Sequence, residues 1–384
     1  MKVLYIHNNY QQKGGEDTVF HQELALISQT EKTNSVIFKN YSGVHGSLQF
    51  ALSIWNIFSA HKINKVIHAF NPDIVHVHNW HYAIGPLIVR SVKNLGIPIV
   101  LTVQNFRLIC PSATLLHKGA LFTHSLNESF PWKAIKKKVY RNSFIQTFWL
   151  ALFIWVHKKI GTWKMVDRFI VQTELAKNVF LSSKLGVIES QFTVKPNFIE
   201  DPGVGTAMRE NFFLFIGRLA EEKGIDSLLE TFKKNKYILY IGGDGPYKEK
   251  VIAASKSSVN IQYLGLLNPN EVKNMLRRCS ILIFPSIWYE GMPMTLIEAF
   301  AAGTPVIASN LGAMASMIRD GYNGLHFKAG NSAELSEKVA YWGNLNKTDR
   351  IQFSENARTS YETIYTPNRN RELLLSIYNS LARH

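Results

Sequence analysis

Short apolar, β-rich runs alternate with helical stretches in two successive series, and this pattern constrains the fold more than any other feature of the chain. The first series opens with Lys2-Val-Leu-Tyr-Ile-His7, which reads as a buried strand. A glycine pair, Gly14-Gly15, follows, then a helical pattern from Glu16 to about Gln29. Further strands are expected at Ser35–Phe38, Pro72–His78 and Ile97–Val103, with helical stretches over residues 45–70 and 82–94. The second series places strands at Phe212–Ile216, Tyr237–Ile241, Asn260–Tyr263, Ser280–Phe284 and Pro305–Ala308. Strands that alternate with helices across short turns imply parallel sheets covered on both faces. Two prolines and two glycines in the run from Val194 to Gly205 mark a linker between the series.

The chain therefore reads as an α/β protein of two doubly wound, Rossmann-like domains facing a cleft. They cover residues 1–196 and 197–365, and a C-terminal helix over 366–384 is expected to return to the first domain. A length of 384 residues suits two domains, and 46 % hydrophobic residues supply a packed core for each. Cys110 and Cys279, the two cysteines, rule out a disulfide framework and a cysteine zinc site, and read as cytosolic thiols. The N-terminal apolar run is too short for a signal peptide, and no stretch of about 20 apolar residues forms a membrane span.

Charge is unevenly placed. Residues 1–196 hold 22 Lys/Arg against 9 Asp/Glu, whereas residues 197–384 hold 21 against 19. The first domain is thus expected to meet an anionic partner or surface.

Chemistry concentrates in the near-neutral half. In Trp288-Tyr-Glu290-Gly291-Met292-Pro293-Met294-Thr295-Leu-Ile-Glu298, Pro293 suits the first turn of a helix that follows a strand. Amides near Gly291–Met294 would form an anion site for a diphosphate. Glu298 lies about 7 Å further along the helix, where a carboxylate can accept hydrogen bonds from two ribose hydroxyls. Glu290 precedes the helix, able to meet a group on the other side of the phosphates. A second strand ends in Gly217-Arg218, with Lys223-Gly224 on the same turn, and the two cations suit phosphate oxygens. A third strand ends in Gly242-Gly243-Asp-Gly245-Pro246, a tight turn without the full dinucleotide-binding spacing. His76 and His78 share one face of the Pro72–His78 strand. His78 is the candidate near the cleft, and His7, His81 and His117 stand behind it.

Together these pieces resemble the retaining GT-B glycosyltransferases of glycosyltransferase family 4, also called group 1. The resemblance rests on Glu290 to Glu298, on Gly217-Arg218 with Lys223-Gly224, on Gly243-Asp-Gly245-Pro246, on Gly14-Gly15 and on Pro72–His78. It implies a nucleotide-diphosphate sugar as donor, with Arg218 and Lys223 on the diphosphate. Glu298 would hold the ribose, Glu290 the donor sugar, and amides near Gly15 and at Met292–Thr295 the phosphates. It implies no metal, since the two cations neutralise the leaving group. Gln104 stands where the family often has a histidine beside the transferred sugar, and glutamine cannot shuttle a proton. A catalytically impaired or specialised sugar-nucleotide-binding member therefore remains open. A dinucleotide-dependent oxidoreductase would need a G-x-G-x-x-G turn after the first strand, which Asn8–Gly15 lacks. Nucleic-acid binding would not explain phosphate-clamp elements in the less basic half.

Residues 131–164 carry eight Lys/Arg, no Asp or Glu, and Trp132, Trp149, Trp155 and Trp163. Their apolar centre, Phe144 to Val156, is about 20 Å long as a helix, short of the roughly 30 Å bilayer core. Basic flanks and tryptophans fit an interfacial helix; packing on the first sheet with a solvated basic end fits as well. With the acceptor handled by the first domain, as the resemblance implies, the expected acceptor is a saccharide, such as a polyprenyl-diphosphate-linked one. The expected place is the cytoplasmic face of a membrane, in surface-polysaccharide synthesis.

Overall fold

The computed structural model describes residues 1–10, 14–118, 120–205 and 209–382. The chain divides into two compact units. One comprises Met1–His117, Leu121–Asn197 and the segment from Asn370 onward, and the other is built on Phe198–Arg369.

Each unit is organised on a six-stranded sheet whose paired strands run parallel. In the first unit the spatial order is Lys32–Lys39, Lys2–Asn9, Ile74–Val77, Ile99–Thr102, Arg168–Val171 and Phe192–Val194. In the second it is Ile261–Gly265, Leu239–Gly242, Phe213–Ile216, Ile281–Phe284, Val306–Ser309 and Gly324–Phe327. The second order is the 3-2-1-4-5-6 of a doubly wound sheet, with its switch point between Phe213–Ile216 and Ile281–Phe284. The continuous apolar runs follow from burial on both faces. Phe213 and Phe215 join the core on one side of the sheet, while Leu214 and Ile216 join the core on the other.

The strands Arg168–Val171, Phe192–Val194 and Gly324–Phe327 went unread in the sequence, because runs of three or four residues carry little periodicity. The helix expected over 82–94 runs only over Leu87–Asn94. Before it, Asn56 Nδ2 donates to the Ala83 carbonyl at 2.7 Å and Ser59 Oγ to the Ile84 carbonyl at 2.5 Å, which fixes this segment as a turn. Pro86 then starts the helix. The stretch 45–70 is two helices, Gly43–Leu52 and Ile57–Phe70, because the Asn56 side chain accepts from the Ser59 amide at 3.0 Å and caps the second.

The basic aromatic segment folds as short helix Trp132–Lys136 and longer helix Phe144–Lys159. Leu150, Ala151, Phe153 and Ile154 are buried, and Phe153 stacks on Trp80 at 5.2 Å. Phe144 and Ile145, in the first turn, are exposed. The helix therefore packs through its middle and leaves its start uncovered. Among the described residues, no helix is long and apolar enough to cross a membrane.

The last helix, Pro367–Asn379, places Leu374, Ile377 and Tyr378 in one core with Val3, Tyr5, Phe20, Ile74 and Val100. Leu374→Ala should destabilise the first unit by about 2–5 kcal/mol, the cost of a buried large-to-small change. Urea denaturation followed by circular dichroism measures it, and a change below about 0.5 kcal/mol would contradict this docking.

Candidate functional site

In the second unit the candidate residues gather where parallel strands end side by side. Strands Phe213–Ile216 and Leu239–Gly242 are direct neighbours, and their following turns clasp each other. Gly217 N–H donates to the Gly242 carbonyl at 3.1 Å, and Leu219 N–H to the Asp244 carbonyl at 2.9 Å. Gly243 adopts φ +144°, and a Cβ there would lie 1.9 Å from the Gly217 carbonyl oxygen. Only glycine permits that approach. The Gly217 amide is thus committed within the protein, as is that of Gly243, which donates to the Gly265 carbonyl at 2.8 Å. These glycines shape a cavity of about 290 Å³ bordered by Gly217, Arg218, Gly243, Leu266 and Leu267.

Lys223 is held rather than free. Its Nζ lies 2.5 Å from Glu290 Oε1 and 5.2 Å from the centre of the Trp288 ring. Ser286 Oγ lies 2.8 Å from the same carboxylate oxygen. The resemblance implies Lys223 on the donor's diphosphate and Glu290 on its sugar; here the two form one ion pair, with Glu290 buried and Lys223 largely so. Arg218 is exposed, with Nη1 3.7 Å from Glu222 Oε1, a spacing worth little to stability and easily surrendered to an anion.

Strand Ile281–Phe284 leads through this loop to helix Met294–Ala301, with Pro293 as its N-cap. Amides in the first turn of a helix have no intrahelical acceptors and carry the positive end of the helix dipole. Gly291, Met292, Pro293, Met294 and Thr295 occupy this turn and its approach. Glu298 sits one turn further in, half-buried. Burial pushes its carboxyl above the ordinary glutamate range, with Lys273 opposing the shift. No hydrogen-bond donor meets that carboxylate among the described residues.

The first unit holds a different assembly. Gly14 and Gly15 open helix Gly15–Ile27, where Asp17 accepts from the Gly14 amide at 3.1 Å and lies 2.8 Å from His7 Nε2. A Cβ on either glycine would meet nothing within 4 Å, so the protein's own packing does not require glycine there. Gln104 follows strand Ile99–Thr102, and its Nε2 is buried without a hydrogen-bond partner.

His78 is placed inside a buried network. Its Nε2 lies 3.4 Å from Glu23 Oε2, and its ring centre lies 4.3 Å from that of His76, the two rings tilted by 39°. Glu23 Oε1 pairs with the Lys195 ammonium, and Lys195 also donates to Asn370 Oδ1 at 3.2 Å. His76 Nδ1 lies 2.6 Å from Tyr378 Oη, and its Nε2 lies 2.7 Å from Thr102 Oγ1. Burial holds both histidines well below the usual imidazole range, reinforced at His76 by Lys195 and at His78 by His76, His7 and Lys195. His78 is therefore neutral and enclosed, which corrects the expectation of a histidine open to the cleft. Glu23, His76 and His78 have ligand-type atoms within 4.8 Å of one another, but the Lys195 ammonium already supplies positive charge there. Glu23 and Lys195 escaped the sequence reading; a carboxylate among apolar helix positions and a lysine between Val194 and Pro196 were the available signals.

Residues 4–201 match the Glycosyltransferase Family 4 profile, and residues 198–360 match the profile of glycosyl transferases group 1. The chain belongs to glycosyltransferase family 4. It is 34 % identical over 131 residues to an uncharacterized glycosyltransferase of Methanocaldococcus jannaschii, covering 34 % of this chain and 37 % of that protein. It is 27 % identical over 177 residues to the O-antigen chain mannosyltransferase C of Escherichia coli, covering 45 % and 47 %. The matches thus span less than half the length of either relative. The crystal structure of Anabaena HepE in complex with UDP-glucose superposes with a TM-score of 0.69, 13 % identity and coverage of 99 % and 100 %. That likeness establishes the GT-B fold of two Rossmann-like units expected from the sequence.

Neutral burial of His76 and His78 has a pH consequence. The unfolded chain protonates these rings near pH 6.5, while their folded forms resist protonation. Stability is unaffected well above that pH and falls as pH drops through it. Urea midpoints should be lower at pH 5.5 than at pH 7.5, and His78→Gln should reduce the difference. A midpoint that rises on acidification would contradict the burial.

Proposed function

We propose that this chain is a retaining glycosyltransferase. It moves a sugar from a nucleoside-diphosphate donor to a saccharide acceptor carried on a lipid, in the synthesis of a surface polysaccharide. One observation carries the reading: a glycine-shaped cavity bordered by Arg218 lies at the strand ends of the second unit, and the neighbouring strand end of the same sheet edge carries the N-terminus of helix Met294–Ala301 and Glu298, whose carboxylate accepts no hydrogen bond among the described residues. This combination suits a nucleoside diphosphate. Arg218 and Lys223 take the diphosphate, the first turn of helix Met294–Ala301 adds its dipole, and Glu298 receives the ribose hydroxyls. The mannosyltransferase name of one relative and the UDP-glucose bound by HepE support the same donor class.

In the reaction, the bond between the anomeric carbon and the diphosphate oxygen breaks. The acceptor hydroxyl oxygen bonds to that carbon on the same face, and its proton passes to the departing phosphate. The protein's task is to stabilise the charge growing on that phosphate, which Lys223 is positioned to do. Glu290 keeps the ammonium in place until the anion arrives, and contacts the sugar. No general base is required of Gln104 or of neutral His78. Gln104 favours one second reading, an impaired or specialised sugar-nucleotide-binding member, and turnover separates the two. The acceptor lipid of this reading and the basic first unit support a peripheral position at the cytoplasmic face of a membrane.

The test is a screen of UDP-, GDP- and ADP-sugars by thermal shift and by hydrolysis. A donor at 100 times its dissociation constant should add about 2.7 kcal/mol of stability; no response to any of them would overturn the reading. Glu298→Ala should weaken nucleoside-diphosphate binding by about 1.5–3 kcal/mol, through loss of charge-assisted hydrogen bonds, as titration calorimetry reports. Wild-type affinity in the variant would remove Glu298 from the ribose. Transfer should persist in EDTA, because Arg218 and Lys223 neutralise the leaving group. Loss of transfer that Mg²⁺ or Mn²⁺ restores would show that these residues do not suffice.

A further inference from the structure

A second, larger cavity of about 840 Å³ opens in the first unit between helix Gly43–Leu52 and the start of helix Phe144–Lys159. Nothing in the proposed chemistry uses it. Its wall is aromatic. The Phe50 ring lies edge-on to Tyr82 at 5.5 Å and parallel to Tyr140 at 6.3 Å. Trp149, also in the wall, donates its Nε1–H to the Phe50 carbonyl at 2.9 Å, so the polar atom of the indole is satisfied within the protein.

The mouth is apolar as well. Val44 and Ile145 line the cavity and are 84 % and 78 % exposed. Leu48, on the same helix as Val44, is exposed, as are Ile57 and Phe58 at the start of the next helix. Single exposed apolar side chains are ordinary, but Val44 and Ile145 at the mouth of an aromatic cavity mark a binding surface.

Among the described residues, Arg141 is the one charged residue lining the cavity, 5.3 Å from the Tyr140 ring. It follows the lysine run 136–138. The surrounding sequence sharpens the asymmetry: residues 32–166 contain 16 Lys/Arg and two carboxylates, Asp73 and Glu128. A ligand for this place therefore has a long hydrocarbon part and an anionic end. Free phosphate would leave the cavity unfilled.

We propose that this cavity receives the hydrocarbon chain of the lipid-linked acceptor and that Arg141 meets the lipid's phosphate. The inference rests on the lipid-linked acceptor of the proposed function. It assigns the acceptor's lipid to named residues of the first unit, apart from the donor residues of the second. The exposed apolar mouth and the surrounding lysines then serve the same end, because the chain must enter from an anionic bilayer surface.

Calorimetry on the full chain tests this with farnesyl phosphate, farnesol and inorganic phosphate as probes. Two variants accompany it: Ser47→Trp, which fills the cavity from an exposed helix position, and Arg141→Gln. Farnesyl phosphate should bind one per chain, and each variant should weaken it about tenfold or more, a difference of about 1.4 kcal/mol. Farnesol should respond to Ser47→Trp alone, and inorganic phosphate should not bind. Absence of saturable farnesyl phosphate binding would overturn the proposal. So would affinity unchanged in both variants, including adhesion seen only on vesicles of phosphatidylcholine and phosphatidylglycerol. Retained affinity in Arg141→Gln alone would overturn the phosphate contact. The donor screen is independent: donor binding without farnesyl phosphate binding leaves the transferase reading standing and removes this one. Farnesyl phosphate binding without donor binding would leave a lipid-phosphate site in this cavity and overturn the transferase reading, and with it the ligand's role as acceptor.

Discussion

Parallel strand pairing is the constraint from which the site follows. A parallel sheet needs a crossover between neighbouring strands, so every strand delivers its following turn to the same edge. In the second unit three consecutive positions of that edge carry Gly217-Arg218, Gly242-Gly243 and the loop to helix Met294–Ala301. Residues scores of positions apart in sequence become neighbours without any dedicated framework. The clasp of the first two turns shows how narrow the tolerance is, since a single methyl at Gly243 would collide with the Gly217 carbonyl.

Electrostatics then separates two kinds of ion pair. Glu23 and Lys195 are both fully buried and are surrounded by Asn370, His76, His78 and Tyr378, which ties the C-terminal helix to the first sheet. Removing one partner would strand a charge in the interior, so such a pair acts as a structural lock. In the pair of Lys223 and Glu290 the carboxylate is buried, but the lysine side chain keeps 18 % of its surface exposed, so the ammonium is held where solvent reaches it. The chemistry is the same, and burial decides the use.

The first unit adds a division of its own. Helix Phe144–Lys159 buries Leu150, Phe153 and Ile154 while leaving Phe144 and Ile145 in water. Its sequence satisfied two readings, a packed helix and an interfacial one, because its apolar residues run all round. The fold buries the middle of the helix and leaves its start exposed.

What the sequence determined by itself was the α/β architecture and the turns that end the strands of the second unit. Those features are local: an apolar run, a glycine turn, a proline at a helix start. Tertiary structure decided what depends on distance across the chain. Lys223 faces Glu290 because two strand ends adjoin, and no spacing within either motif encodes that pairing. His78 is enclosed because Glu23, His76 and Phe20 reach it from neighbouring elements. A period of two places a side chain on a face of a sheet; only packing decides whether that face meets solvent, a ligand or another layer of protein.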